Sequence, residues 1–154
     1  MISCKYADIF SNFFLKAPAQ DLLALSDADL KEFLIGFLHS STVMTPTRRI
    51  FSSISLNDET ETLSFTLKNT VDDESDLEFV QDVLGQGMKI AWLNPRLVSA
   101  ENIAQMYGGK EEKFYSQANH INALLSLKND TKKELKSIIK DYGYTNNPYI
   151  KGDV

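Results

Sequence analysis

A single cysteine, Cys4, and two histidines, His39 and His120, are all that the 154-residue chain offers as thiol or imidazole ligands. An internal disulfide framework is excluded, and one chain cannot assemble a zinc site of the usual Cys/His kind. Four prolines and seven glycines are too few for a fibrous or low-complexity chain, and no internal repeat is visible. Long apolar runs are missing: no segment approaches the ~20 apolar residues of a membrane span, so no membrane partner is expected. Lys5 and Asp8 stand where a secretory signal would need an unbroken apolar stretch. Positive charge is in deficit, 16 Lys and Arg against 21 Asp and Glu for a net charge of −5, which argues against a protein that coats nucleic acid. What remains is a globular composition, 43% hydrophobic and 24% charged, suited to one domain over residues 1–154 with its own core. The lone thiol fits a reducing aqueous interior.

Tyr6, Ile9, Phe10, Phe13 and Phe14 recur at helical spacing and predict a short amphipathic helix ended by Ala17-Pro18, because a residue before proline avoids the α region. Ser26 and Asp29 stand three apart ahead of Leu30, Phe33, Leu34, Phe37 and Leu38, an arrangement in which serine caps the free N–H groups of a second helix. Pro46 should stop or kink that helix near Met44-Thr45. Over about residues 50–68 the period changes to two. Ile54 and Leu56, then Leu63, Phe65 and Leu67, alternate with polar residues about Asn57-Asp58-Glu59, which predicts a β-hairpin. Asp72 to Asp76 supply an acidic start for a third helix with Leu77, Val80, Leu84, Met88 and Ala91 on one face. Gly85 and Gly87 within it point either to close approach of another backbone or to a local break. Leu93-Asn94-Pro95 should close this helix, and Ser99 should open a short one carrying Ile103, Met106 and Tyr107 up to Gly108-Gly109. The longest helix is expected from about Lys113 to Tyr142. It carries Phe114, Ala118, Ile121, Leu125, Leu135, Ile138 and Ile139 on one face, with Gly143 as a stop and residues 144–154 as an extended tail. The fold class is mainly α: a helical bundle with one long C-terminal helix and a β-hairpin insertion.

Catalytic chemistry is sparse. Neither a G-x-S-x-G elbow nor a strand-helix alternation frames a serine nucleophile. Gly108-Gly109-Lys110 lacks the spacing and the hydroxyl of a phosphate loop, and reads as a turn between helices. Asp72-Asp73-Glu74-Ser75-Asp76 lacks the glycine and distal glutamate of a calcium loop, so helix-start charge is the better reading. His39 and His120 read as packing or surface residues. No catalytic residue, metal ligand or cofactor is expected, and the chain is not read as an enzyme.

Charge is distributed unevenly. Residues 57–82 carry nine acids (Asp58, Glu59, Glu61, Asp72, Asp73, Glu74, Asp76, Glu78 and Asp82) against Lys68, a balance of −8 that leaves the rest of the chain at +3. Lys128, Lys132, Lys136 and Lys140 recur every four residues on the longest predicted helix, with Lys133 beside them. Such a face is either solvated, partly balanced by Asp130, Glu134 and Asp141, or it meets the acidic segment of a second copy head to tail. Asp72, Asp73, Glu74 and Asp76 are the acids expected there, and DNA in a channel is a third use of the lysines. Tyr144, Tyr149 and Ile150 are either docking anchors on a tail or part of a frayed terminus. An alternative class is a small acidic cytoplasmic regulator or inhibitor, of the anti-defence type, that presents its acids to a basic protein.

One stretch carries a resemblance. Ile90-Ala-Trp-Leu-Asn-Pro, followed by Gly108-Gly-Lys-Glu-Glu-Lys-Phe-Tyr-Ser-Gln-Ala-Asn-His-Ile and continuing through Leu124-Leu-Ser-Leu-Lys-Asn-Asp into Asp141-Tyr-Gly-Tyr, resembles tailed-bacteriophage head-to-tail connector, or neck, proteins. The similarity covers roughly residues 88 to 150, and Phe114-Tyr-Ser-Gln-Ala-Asn is its most distinctive part. The first half matches in layout only, and it departs where Met44-Thr-Pro-Thr-Arg-Arg interrupts a second helix that looks continuous and basic in such proteins. The resemblance implies a mostly helical structural virion protein, made in the host cytoplasm, that forms a homo-oligomeric twelvefold ring beneath the portal. Its implied partners are its own copies, the portal protein, further neck or tail proteins, and DNA passing through the channel without sequence readout. No catalysis is implied.

Overall fold

The computed structural model describes residues 1–106 and 111–145, and of residues 100–106, 111–118, 144 and 145 the backbone alone. Strand β1 (Ile2–Lys5) leads directly into helix α1 (Tyr6–Lys16), a 3-10 turn follows at Gln20–Ala24, and α2 (Asp27–Val43) is succeeded by the single turn α3 (Thr45–Arg48). A hairpin of β2 (Phe51–Asn57) and β3 (Thr62–Leu67) then precedes two long helices, α4 (Asp73–Met106) and α5 (Glu111–Thr145). The molecule is mainly helical, with a small antiparallel sheet and a long C-terminal helix, as the periodicities predict.

Local chemistry explains most boundaries. Ala17 is extended, at φ −116° and ψ 131°, ahead of Pro18, and α1 stops there. The Ser26 hydroxyl accepts the Asp29 N–H at 3.3 Å and caps α2. That helix ends at Val43, and Pro46 sits in the first turn of α3, where its missing N–H removes no helical bond. In the hairpin, Asn57 Oδ1 accepts the N–H groups of Glu59 at 3.0 Å and Thr60 at 3.1 Å, and Glu61 takes a positive φ of 52°.

The sheet has three strands rather than the two expected. Its order is β1-β3-β2 with both pairings antiparallel. On β3, Leu63 lies between Cys4 and Leu56, and Phe65 between Ile2 and Ile54, so the buried faces of all three strands meet in one layer. Two strands alone are marginal in water, and β1 supplies the third. Its four residues are too few to display a period, which is why only the hairpin is legible locally.

Two boundaries differ from expectation. Pro95 does not close the third helix: α4 runs through it to Met106, and no separate helix opens at Ser99. Pro95 has no N–H for the Ala91 carbonyl, yet Trp92, Leu93 and Leu97 are buried around it, and that burial carries the helix past the missing bond. Gly143 likewise does not stop α5, which continues to Thr145 and takes in the first two residues of the expected tail; residues 146–154 lie outside the described residues. Tyr107, Gly108 and Gly109 lie outside the described residues, as do the side chains of Ile103, Met106, Phe114 and Ala118.

The core is organised around α4. Every residue from Val83 to Met88 is buried, and α1, α2 and α5 pack about this stretch. The two glycines permit that approach. A Cβ on Gly85 would lie 3.2 Å from the Phe13 backbone nitrogen and against the Asn12 amide, and one on Gly87 would collide with Ser41. Close approach, rather than a break, is the reason for both. Ser41 Oγ donates to the Leu84 carbonyl at 3.0 Å, and Gln86 Nε2 donates to the Thr131 carbonyl and to Glu134 Oε2, each at 3.2 Å.

Gly36 makes the converse case, since a Cβ there meets nothing within 4 Å. Gly87→Ala is expected to lower unfolding free energy by roughly 1–3 kcal/mol through overpacking, whereas Gly36→Ala should raise it by about 0.5–1 kcal/mol through helix propensity. Urea unfolding of the two variants checks the opposite signs.

Candidate functional site

The C-terminal half of α5 is seated on α4 by a contact at the start of that helix. The Tyr142 ring stacks on Phe79 with centroids 3.9 Å apart and planes 4° from parallel. Its hydroxyl donates to Asp76, whose carboxylate also accepts the Val71 N–H at 3.0 Å. Asp76 is 1% exposed and cannot meet a partner. Asp72 caps α4, accepting the Ser75 N–H at 2.8 Å and the Ser75 hydroxyl at 2.9 Å; these bonds hold its carboxyl below the ordinary range. Of the four acids expected at an interface, only Asp73 and Glu74 stand exposed without such a task at the helix start.

Other acids of residues 57–82 are also engaged within the chain. Asp58 accepts the Tyr6 hydroxyl at 2.6 Å and His39 Nε2 at 2.9 Å to each of its oxygens, joining the hairpin turn to α1 and α2. The Tyr6 bond, then the His39 bond, lower the Asp58 pKa, while burial and then Asp58 itself push the Tyr6 phenol up. Glu61 pairs with Lys31, and Asp82 with Lys16. His39 is therefore a structural pin. The Cys4 thiol is pushed up to about 11 by burial and then by Asp8, which keeps it protonated at neutral pH and suppresses thiolate chemistry.

The lysine stripe is placed as its spacing predicts. Lys132, Lys136 and Lys140 are exposed along α5 and Lys128 is half-buried, one position on from the inward line of Thr131 and Leu135. The three exposed lysines and Arg49 rim a groove of about 750 Å³ whose floor includes Met44, Ile90, Leu135 and Ile139. Among the described residues no acid lines it, and none of these four cations forms an ion pair. Asp130 and Glu134 stand exposed on the same helix as the lysines, and Glu134 accepts a hydrogen bond from Gln86. Arg49 joins the group because α2 breaks at Met44 and α3 turns the chain back toward α5, a link that spacing along one helix cannot reveal.

A second groove, of about 640 Å³, runs along the other side of α5. Glu78, Asp82 and Asp141 line it with Phe79, Ile138 and Tyr142, and among the described residues no lysine or arginine does. Glu74, Glu78 and Asp82 follow one another at intervals of four on α4, the same interval as the lysines, and this signal was present in the sequence beside the bulk count of acids. A third hollow of about 590 Å³, near the start of α5, brings Trp92, Arg96 and the exposed His120 together, with Arg96 4.3 Å over the Trp92 ring and paired with Asp21.

Tyr144 lies in the last turn of α5 with its side chain outside the described residues, and Tyr149 and Ile150 lie outside them altogether. Among the described residues no group of three or more His, Cys, Asp or Glu is arranged to hold a metal ion, and no helix is long and apolar enough to cross a membrane. Compared with known proteins, the chain matches no family model, no curated protein and no solved structure.

The lowered pKa of Asp58 fixes the sign of a pH effect. A carboxyl depressed in the folded state stabilises above its unfolded pKa, and that contribution fades as pH falls through the folded value. Asp58→Asn should therefore lower the melting temperature at neutral pH and flatten the wild-type loss of stability between about pH 5 and pH 3. Thermal melts by circular dichroism across that range would show parallel curves if Asp58 were idle.

Proposed function

We propose that this chain is a structural virion protein, a head-to-tail adaptor that forms a twelvefold ring between the portal and the tail of a tailed bacteriophage. DNA passes through the ring channel without sequence readout, and the ring contacts the portal and further neck or tail proteins. The bacteriophage setting comes from the resemblance over residues 88 to 150, carried by Phe114-Tyr-Ser-Gln-Ala-Asn and its surroundings.

The observation that favours assembly is the pair of unlike grooves beside α5. A subunit that is basic on one side and acidic on the other is suited to meet copies of itself head to tail, and such contacts close into a ring when the rotation per copy divides a full turn. At ~1.5 Å per residue α4 and α5 each extend ~50 Å, a length available to line a channel or span a layer of such a ring.

The second reading, an acidic cytoplasmic regulator that binds a basic protein, draws on the nine acids of residues 57–82. Asp58, Glu61, Asp72, Asp76 and Asp82 all have partners within the chain, which thins the acidic surface available to such a target. The adaptor reading is accordingly the conclusion. Electron microscopy and sedimentation of the purified chain, alone and with its portal partner, should show rings. A strictly monomeric protein at high concentration with the portal present would contradict it.

A further inference from the structure

The grooves beside α5 differ in more than sign. On one side Lys132, Lys136 and Lys140 stand at intervals of four residues; on the other Glu78 and Asp82 line the groove, and the exposed Glu74 precedes them at the same interval on α4. Four helical residues rise ~6 Å, so the two rows have the same spacing and can align over successive ion pairs. Each row also borders half-buried apolar side chains: Ile139 beside the lysines, Ile138 and Tyr142 beside the acids. A contact between them would combine charge register with apolar burial.

We infer that the lysine groove of one copy receives the Glu74–Glu78–Asp82 edge of α4 from a second copy of this chain, with Arg49 extending the basic side. The inference rests on the ring reading and names the surfaces that would build it. Within one molecule the lysines and the Glu78–Asp82 pair do not meet, because they line grooves on opposite sides of α5, one beside α3 and the other beside Asn12 of α1. The basic row has no ion-pair partner among the described residues. On the acidic row Glu74 and Glu78 are exposed, while Asp82 is already bridged to Lys16, so the new pairs centre on the first two acids. Unlike surfaces make the contact heterologous, which is the type that propagates around a ring.

Charge reversal on the full chain tests this. One variant carries Lys132→Glu, Lys136→Glu and Lys140→Glu, the other Glu74→Lys and Glu78→Lys. All five positions are exposed, and thermal melts confirm that each variant folds; if reversal lowers the melting temperature, Lys132→Gln with Lys136→Gln probes the same contact. By sedimentation velocity at ~0.1 M salt, each variant alone should associate at least about tenfold more weakly than wild type, because like charges then face each other. An equimolar mixture should recover assembly with alternating copies. Wild-type assembly by both variants overturns this surface and leaves the ring reading standing. Failure of the wild-type chain to assemble at any salt, even with the portal, removes the ring reading and this contact with it. Loss of duplex DNA binding with unchanged self-association assigns the lysine groove to nucleic acid and overturns the proposal.

Discussion

From Val83 to Met88 every residue of α4 is buried, so this stretch of the helix has no side to give to water. A helix in that position must be surrounded, and α1, α2 and α5 do so. Gly85 and Gly87 let the neighbouring backbones come close enough, and Gln86 satisfies its amide with the Thr131 carbonyl and Glu134 on α5. Most other features follow from this one. The Asp76–Tyr142 bond and the Phe79–Tyr142 stack fix how α5 lies on α4, and the hairpin, strengthened by β1, is held against α1 and α2 through Asp58.

Seating α5 along a buried helix leaves a groove on each side, and the sequence makes them unlike. Lysines at intervals of four fall one position from the inward line of Thr131 and Leu135, which brings them to the α3 side together with Arg49. Acids of α4 fall to the α1 side. Exposed ion pairs are individually weak, about 0.2–1 kcal/mol each, so a contact between copies would draw orientation and specificity from the charges and most of its strength from the apolar floors. Such a contact would respond to salt, since screening shortens from ~10 Å at 0.1 M to ~3 Å at 1 M.

What was legible in the sequence was what depends on near neighbours. The Ser26 cap, the aromatic stripe of α1, the Pro46 break, the hairpin and the lysine row all rest on spacings within a few residues. Features that depend on distant partners were not. β1 exists because β3 offers it an edge, α4 survives Pro95 because Trp92, Leu93 and Leu97 are buried around it, and Asp76 disappears from the surface because Tyr142 reaches it from 66 residues away. The −8 balance of residues 57–82 is likewise a count that cannot show which acids are engaged: Asp58, Glu61, Asp72, Asp76 and Asp82 each have a partner inside the fold. The acids that we propose meet a second copy share an interval on α4 that matches that of the lysines.

The central proposal is that one subunit carries both halves of its own interface on the layer formed by α4 and α5. Hydrogen exchange followed by mass spectrometry at dilute and concentrated protein reads this directly. The account predicts added protection on concentration over both residues 128–140 of α5 and residues 73–78 of α4, with Val83–Met88 the slowest to exchange throughout and the sheet unchanged. Protection confined to one of the two helices, or appearing on the sheet instead, would contradict it.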